Sequence, residues 1–243
     1  MKLRQMKGKE SMKKPKAVIF DFGGTIVKLD EVDYFNGIRA IVEIFDLQID
    51  SLQFLHESFI RFDKEIFDID KRNIFQISFY SYIKLFFDKM GIFLPDNIYK
   101  IEEVFHRGVY GPYEYENEII EFINELKKNK ISTGIVSNHM FSSLSIYNEI
   151  KDNVYVDFII SSSDYGIGKP HLFLFEVALS NLRCEATEVW FIGDNLINDI
   201  SGAQNARMKG VWYNNKKKLN KTNIVPFMEV SEYKKLIEIL KKM

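Results

Sequence analysis

The stretch AVIFDFGGTIV, residues 17–27, constrains the fold of this chain more than any other. It begins with four apolar residues, which is typical of a buried parallel strand. The run ends at Asp21, and Gly23, Gly24 and Thr25 follow. Open α/β sheets place their ligands at the carboxyl ends of buried strands, and glycines let backbone N–H groups approach an anion closely. The stretch therefore predicts a carboxylate nucleophile beside a phosphate-binding turn, with an ordinary strand-ending turn as the alternative.

The rest of the chain divides into a helical segment and an alternating one. From about residue 31 to 108, apolar residues recur at helical spacing, which predicts four successive amphipathic helices. Residues 16–27 and 112–243 instead alternate apolar strands with helices. That alternation is typical of an α/β fold with a parallel sheet covered on both faces. The further strands are predicted at 131–136, 158–160, 188–192 and 211–213, and the last helix at 231–241.

Polar residues follow the predicted strands or lie on one loop between them: Asp21 with Thr25, Ser137 with Asn138, Lys169, and Asp194 with Asp199. Parallel strands deliver their carboxyl ends to one sheet edge, so these residues can meet in one site. Asp21 can attack as a carboxylate nucleophile, and Asp21 with Asp194 can hold Mg²⁺. Ser137 and Lys169 can stabilise phosphoryl oxygens. Asp199 can bind the metal or orient Lys169.

The order of four motifs, FDFGGT, VSN, GKP and IGDNLINDISGA, resembles that of the haloacid dehalogenase superfamily. The resemblance covers about residues 16–230. It implies a Rossmann-like core of parallel strands in the order 5-4-1-2-3, with a mobile helical cap inserted after the first motif. Residues 16–28 and 111–243 are then the catalytic core and residues 29–110 the cap. Residues 1–15 are expected to be a disordered basic tail.

Carried over by position, the resemblance gives each motif residue a role. Asp21 is the nucleophile, Ser137 binds the phosphoryl group, and Lys169 stabilises both the nucleophile and the anion. The implied Mg²⁺ ligands are Asp21, the backbone carbonyl of Gly23, Asp194 and Asp199. Further phosphate or substrate contacts are expected from Gly24, Thr25, Asn138 and Asn195.

One position departs from the phosphatases of that superfamily. They usually carry a second aspartate where this chain has Gly23, and it protonates the leaving group and then activates water. A general acid or base of this kind contributes about 10²–10⁴-fold in rate. Glycine keeps the metal-binding carbonyl and removes the acid–base group. His139, next to the second motif, is a candidate for the missing proton donor.

Three functions are compatible with that departure. The first is a phosphatase of small phosphorylated molecules that obtains its proton elsewhere. The second is a dehalogenase or a phosphonate hydrolase, the latter with Lys64 as a candidate Schiff-base lysine. The third is a binding or regulatory protein that keeps the fold without turnover. Metal-free dehalogenases have a serine at the position of Asp194, so the aspartate favours the Mg²⁺-dependent phosphatase.

The composition limits the classes of partner and the compartment expected for this chain. The formal net charge of −1 gives no general attraction to nucleic acid or to an anionic membrane. Cys184 is the one cysteine, which predicts a reducing, cytoplasmic setting. No apolar run approaches membrane-spanning length, and none of signal-peptide length follows the basic residues 1–16.

Three arginines are candidates for recognising a substrate anion: Arg39, Arg61 and Arg72. The lysines at 216–218 are interpreted as a solvated loop, and the oligomeric state stays open.

Overall fold

The computed structural model describes residues 13–28, 32–69 and 76–243. Its centre is one sheet whose strands are β1 (Ala17–Phe20), β2 (Ser132–Ser137), β3 (Phe158–Ser161), β4 (Val189–Gly193), β5 (Lys209–Tyr213) and β6 (Met228–Val230). All neighbouring strands pair in parallel, in the order β3-β2-β1-β4-β5-β6. The α/β class and the five-strand order expected from the sequence are thus confirmed. The basic tail expected at 1–15 lies outside the described residues up to residue 12.

The sheet continues one strand further than the sequence predicts. β6 pairs with β5 through Val211, Trp212 and Tyr213, so the strand at 211–213 is not the last. β6 has only three residues, with a glutamate between two apolar ones. Such a segment is too short to show the periodicity by which strands are recognised in a sequence.

Helices cover both faces of the sheet. A further group of helices, inserted in the sequence between β1 and residue 111, forms a separate layer. The separate layer consists of α1 (Tyr34–Ile44), α2 (Leu52–Ile69), α3 (Phe79–Lys89) and α4 (Ile98–Tyr110). The remaining helices are α5 (Ile119–Lys128), α6 (Ser143–Ile150), α7 (Ser162–Tyr165), α8 (Leu172–Ser180), α9 (Gly202–Asn205) and α10 (Tyr233–Lys241). Across the described part of the chain, no helix has both the length and the apolarity needed to cross a membrane.

Local capping decides where the helices of this layer begin. Ser78 accepts a hydrogen bond from the N–H of Ser81, so α3 begins at Phe79. Asn97 caps α4 in the same way, by accepting the N–H of Lys100. These side-chain caps satisfy N–H groups that have no partner within the helix.

β1 separates two apolar clusters because alternate residues of a strand point to opposite faces. Val18 and Phe20 pack with α5 and α10, where Phe122 lies edge-on to Phe20 at 6.0 Å. Ala17 and Ile19 pack with α8 and α9 on the other face. Burying side chains of this size stabilises the fold by about 1.5–3 kcal/mol each. The strand that ends at the predicted nucleophile is therefore one of the best-anchored parts of the molecule.

The α1–α4 layer has an apolar cluster of its own, centred on Phe59, Phe86 and Phe105. One member of this cluster comes from outside the layer. Phe141, on the loop between β2 and α6, is fully buried; its ring centroid is 5.0 Å from that of Phe79, and it stacks on His106 at 4.3 Å. A ring from the sheet side is thus inserted between the helices, a connection that the sequence does not predict.

Candidate active site

Three of the predicted site residues lie at the carboxyl edge of the sheet. Asp21 directly follows β1, Ser137 is the last residue of β2, and Asp194 directly follows β4. The register pairs Phe20 with Ile135 on one side and with Ile192 on the other, which brings these three strand ends together. Asp21 and Ser137 are buried there. The strand pattern therefore places them as expected.

Lys169 lies between two carboxylates. Its Nζ atom is 2.7 Å from Asp21 Oδ1 and 2.7 Å from Asp199 Oδ1, and its side chain is only 1% exposed. Burial lowers the pKa of Lys169, but the carboxylates of Asp199 and Asp21 outweigh it and raise the pKa above its ordinary value. The ammonium group therefore stays charged and is aimed at the candidate nucleophile.

Asp199 reaches the site from the single π-helical turn Leu196–Ser201. Its Oδ1 contacts Lys169, and its Oδ2 accepts the N–H of Asn195 at 2.9 Å. Burial raises the pKa of Asp199 to about 7, and the charge of Lys169 opposes the rise. Both carboxylate oxygens already have partners, so this geometry fits orienting Lys169.

Asn195, predicted to contact substrate, caps the same turn in this structure. Its Oδ1 accepts the N–H groups of Ile197 and Asn198 at 2.9 and 3.0 Å. The cap holds the turn that carries Asp199, so Asn195 shapes the site through that residue.

Asn138 is joined to the backbone of Lys169. The N–H of Lys169 donates to Asn138 Oδ1 at 2.6 Å, and Asn138 Nδ2 donates to the carbonyl of Lys169 at 2.8 Å. A Cβ atom at Gly168 would lie only 3.0 Å from Asn138 Oδ1, so the pairing depends on glycine there. The loop of Lys169 is thereby fixed against the end of β2.

The turn after Asp21 is compact. Gly24 has a φ of +75°, and its N–H donates to the carbonyl of Val27 at 2.7 Å. A Cβ atom at Gly24 would lie 3.3 Å from Asp194 Cγ, so both conformation and space favour glycine. The hydroxyl of Thr25 donates to Asp21 Oδ2 at 3.2 Å. These turn bonds use the carbonyls of Phe22 and Val27 and leave out that of Gly23.

Three carboxylates make this edge a candidate cation site. Asp21, Asp194 and Asp199 each offer an oxygen, and these oxygens lie within 4.8 Å of one another. Burial and the charge of Asp21 raise the pKa of Asp194, while Lys218 opposes the rise. Mg²⁺ prefers hard oxygen ligands of this kind. The donor set therefore fits the ion predicted from the sequence.

The side chain of His139 is enclosed rather than presented to the site. Its Nδ1 accepts the N–H of Phe141 at 3.2 Å, and its ring centroid is 5.9 Å from Phe22 and 5.7 Å from Tyr110. Burial lowers the pKa of His139 to about 4. A neutral, buried imidazole is a poor source for the missing proton, so the structure disfavours that hypothesis.

The other sequence candidates on the α1–α4 layer face solvent. Lys64 is exposed on α2, which is not the desolvated setting in which a lysine becomes a nucleophile. Arg39 approaches Glu43 at 3.8 Å on its own helix, and Arg61 donates to Ser58 at 2.9 Å. Arg72 lies outside the described residues.

One residue at the site was not predicted. Lys218, which the sequence analysis assigns to a solvated loop, has its Nζ atom 3.3 Å from Asp194 Oδ2. The carbonyl of Asp194 accepts the indole N–H of Trp212 in β5 at 3.0 Å. The position of Lys218 shortly after β5, at the same sheet edge, is the signal that could have identified it.

The family model described as haloacid dehalogenase-like hydrolase matches residues 18–213. Glyceraldehyde 3-phosphate phosphatase of Pyrococcus abyssi (strain GE5 / Orsay) is 35% identical over 93 residues, which is 38% of this chain and 38% of that protein. The chain thus aligns with less than two fifths of that relative.

Two solved structures share the fold over nearly the whole chain. A 2-haloacid dehalogenase from Pseudomonas syringae pv. Tomato DC3000 superposes with a TM-score of 0.69 at 23% identity, covering 95% of this chain and 99% of that one. A HAD phosphatase from Thermococcus onnurineus superposes with a TM-score of 0.57 at 21% identity, covering 92% and 97%. The two differ in activity, so the likeness describes architecture and does not choose the chemistry.

Proposed function

The chain belongs to the haloacid dehalogenase-like hydrolases, and from that premise we propose that it is a Mg²⁺-dependent phosphatase of small phosphorylated metabolites. The observation that carries the proposal is the carboxylate of Asp194 beside Asp21, with ligand oxygens no more than 4.8 Å apart. A halide leaves without needing a cation, whereas a phosphoryl dianion must be neutralised before a carboxylate can attack it. The relative from Pyrococcus abyssi that is named as a glyceraldehyde 3-phosphate phosphatase supports the same choice.

The reaction divides into two displacements at phosphorus. In the first, a carboxylate oxygen of Asp21 forms a bond to phosphorus while the bond from phosphorus to the substrate alcohol breaks. In the second, water attacks phosphorus and releases Asp21 with inorganic phosphate. Lys169 holds the carboxylate at 2.7 Å, and its charge, with the hydroxyl of Ser137, stabilises the phosphoryl oxygens.

In this proposal Asp21, Asp194 and the carbonyl of Gly23 hold Mg²⁺, and Asp199 lies behind them as the partner of Lys169. When bound, the ion supplies positive charge that offsets the charge of the phosphoryl oxygens. The N–H groups of Gly24 and Thr25 donate within the turn, to the carbonyls of Val27 and Phe22, so in this proposal Lys169 and Ser137 meet the anion from the protein side.

We place substrate selection in the helical layer, with residues 29–110 as the cap and 16–28 and 111–243 as the core. The chain passes between the core and the cap twice, near residues 28 and 111. These two connections lie side by side, which supports the division. The N–H of Lys28 donates to the carbonyl of Glu114 at 2.8 Å, and Gly111 ends α4 with a φ of +60°. Adjacent crossings of this kind can serve as a hinge for a lid. The reducing cytoplasm suggested by Cys184 is the proposed compartment.

A phosphate-release assay over a panel of sugar, triose and aryl phosphates, with and without Mg²⁺, tests the proposal. We expect turnover only with the ion, and its loss in Asp21→Asn with an unchanged thermal melt. Asp152→Asn, an exposed carboxylate change in a surface turn, is the matched control. Release of halide from 2-haloacids, or cleavage of phosphonoacetaldehyde, without phosphoester hydrolysis would instead establish a dehalogenase or a phosphonate hydrolase. Ligand binding with no turnover of any kind would establish a binding or regulatory protein.

A further inference from the structure

A phosphatase with glycine at position 23 needs another group to meet the charge that develops on the leaving oxygen. Alkoxides are poor leaving groups, and a positioned donor typically accelerates their departure by about 10²–10⁴-fold. His139 is enclosed and neutral, so it does not fill this role. The remaining candidates are the cationic side chains within reach of the site.

Two lysines of the described residues make ion pairs with the three site carboxylates. Lys169 pairs with Asp21 and Asp199 from inside the protein, with 1% of its side chain exposed. Lys218 pairs with Asp194 from the solvent side, and 54% of its side chain is exposed. Lys169 is committed to the nucleophile, whereas Lys218 keeps freedom to move its ammonium group towards a bound ligand.

Asp194 also links Lys218 to the turn that contains Gly23 and Gly24. Asp194 Oδ2 is 3.3 Å from Lys218 Nζ and 3.4 Å from the position that a Cβ atom of Gly24 would take. One carboxylate oxygen thus separates the lysine from the Gly23–Gly24 turn.

The backbone of Lys218 is held in place, unlike that of an ordinary surface loop. Its N–H donates to Asn214 Oδ1 at 2.8 Å, and its carbonyl accepts Asn214 Nδ2 at 2.9 Å. Asn214 is buried directly after β5 and also donates to Glu229 Oε1 at 2.7 Å. The loop therefore returns the lysine to the carboxyl edge of the sheet, where β5 also fixes Asp194 through Trp212.

We propose that Lys218 is a catalytic residue that contacts the leaving oxygen of the substrate in place of the missing aspartate. As the bond from Asp21 to phosphorus forms, the bond from phosphorus to the alcohol oxygen breaks and its electron pair passes to that oxygen. Lys218 donates a hydrogen bond to the oxygen and offsets its charge. Solvent water, which reaches this side of Asp194, supplies the proton that completes the alcohol. The inference rests on the proposed function.

The experiment compares leaving groups at saturating Mg²⁺. Parent, Lys218→Met and Lys218→Arg are assayed on 4-nitrophenyl phosphate, whose oxygen leaves without help, and on glycerol 3-phosphate, whose oxygen does not. We expect Lys218→Met to lose about 100-fold in kcat/KM on the alkyl ester and to change little on the aryl ester. Arginine, which keeps the charge and the donors, should recover part of the loss. Lys216→Met, an exposed lysine on the same loop, is the matched control.

The ratio of kcat/KM for the two esters is the readout, because this constant reports the steps up to the first irreversible bond cleavage. Equal losses on both esters would mean that Lys218 supports the metal site or the loop, and would overturn the inference. Unchanged rates on both would overturn it as well. A parent that releases no phosphate from any ester would overturn the proposed function and this inference together, whereas an active parent with equal losses overturns the inference alone.

Discussion

The side-chain amide of Asn138 holds the peptide of Lys169 from both sides, accepting its N–H at 2.6 Å and donating to its carbonyl at 2.8 Å. An asparagine predicted to contact substrate is thus engaged with the backbone of the lysine that faces Asp21. Its two hydrogen bonds cross 31 residues of sequence and join the end of β2 to the loop before α8.

Removing this amide should misplace Lys169 without removing a substrate contact. We expect Asn138→Ala to lower kcat by about 100-fold, because a displacement near 1 Å can cost that much, while KM changes little. Steady-state kinetics with the best phosphoester of the panel check this. A raised KM at unchanged kcat would instead restore the predicted role of Asn138 in binding substrate.

Magnesium should stabilise the folded protein as well as activate it. A ligand that binds only the folded state raises stability by RT ln(1 + [L]/Kd), about 2.7 kcal/mol at one hundred times Kd. The melting temperature of the parent should therefore rise with Mg²⁺ and fall back with EDTA. Asp194→Asn should abolish this shift, because it removes one of the clustered carboxylates. A shift that survives in Asp194→Asn would place the ion elsewhere.

Restoring an aspartate at position 23 should help substrates with poor leaving groups. Gly24, with its φ of +75°, is the glycine of this turn in the left-handed region, so Gly23→Asp needs no strained backbone. We expect Gly23→Asp to raise kcat/KM on glycerol 3-phosphate by up to about 10²-fold in Lys218→Met, which lacks the proposed donor, and by less in the parent. Gly24→Ala is the contrasting control and should lose activity, because its Cβ would crowd Asp194. No gain in a folded variant that combines Gly23→Asp with Lys218→Met would show that an aspartate at position 23 does not reach the leaving oxygen.

Acid should destabilise the protein through His139. Burial lowers the pKa of this imidazole to about 4, whereas the unfolded chain binds a proton near pH 6.5. The unfolded state therefore gains protons first, and stability is lost as the pH falls from about 6.5 towards 4. Between pH 7 and pH 5 this group alone should remove about 2 kcal/mol from the free energy of unfolding. His106, stacked nearby on Phe141, has its pKa lowered by burial too and acts in the same direction.

A comparison of two histidines isolates that effect from the carboxylates. The Nδ1 atoms of His139 and His171 each accept the N–H two residues ahead at 3.2 Å, but only His139 is buried. In His139→Asn the amide oxygen can replace Nδ1, so the fold is kept and the acid sensitivity is reduced. His171→Asn should leave it unchanged. Urea unfolding at pH 7 and pH 5 measures both, and equal pH dependence in the two variants would refute the argument.

Phe141 should matter more for stability than its place on a loop suggests. Truncating a fully buried phenylalanine typically costs about 3–5 kcal/mol, and we expect that loss for Phe141→Ala in urea unfolding. Phe93→Ala makes the same change where the side chain is 82% exposed and should cost little. Faster hydrogen exchange in α4 of the Phe141→Ala variant would locate the weakened contact. Similar small losses in both variants would show that the inserted ring does not hold the helical layer.

The sequence predicts the position of a site residue wherever that residue directly follows, or ends, a recognisable strand. Asp21, Ser137 and Asp194 come together because parallel strands end at one edge, a relation that the alternation of strands and helices already contains. The pairings of Asn138 with Lys169 and of Lys218 with Asp194 join positions 31 and 24 residues apart, and no local period encodes them. They depend on how the loops pack after the sheet has formed, so they required coordinates.

The insertion of Phe141 has a consequence for protein engineering. A chimaera that exchanges the helical layer by cutting only at the two crossings, near residues 28 and 111, would leave this ring behind with the sheet. The transplanted helices would then pack against Phe141, a side chain that fits the original helices. The loop that carries Phe141 begins next to Ser137. A transferable unit must therefore include the loop from Asn138 to Ser142, whose backbone N–H at its far end donates to Glu102 of α4. Exchanging the helical layer of this protein therefore requires exchanging the loop after β2 with it.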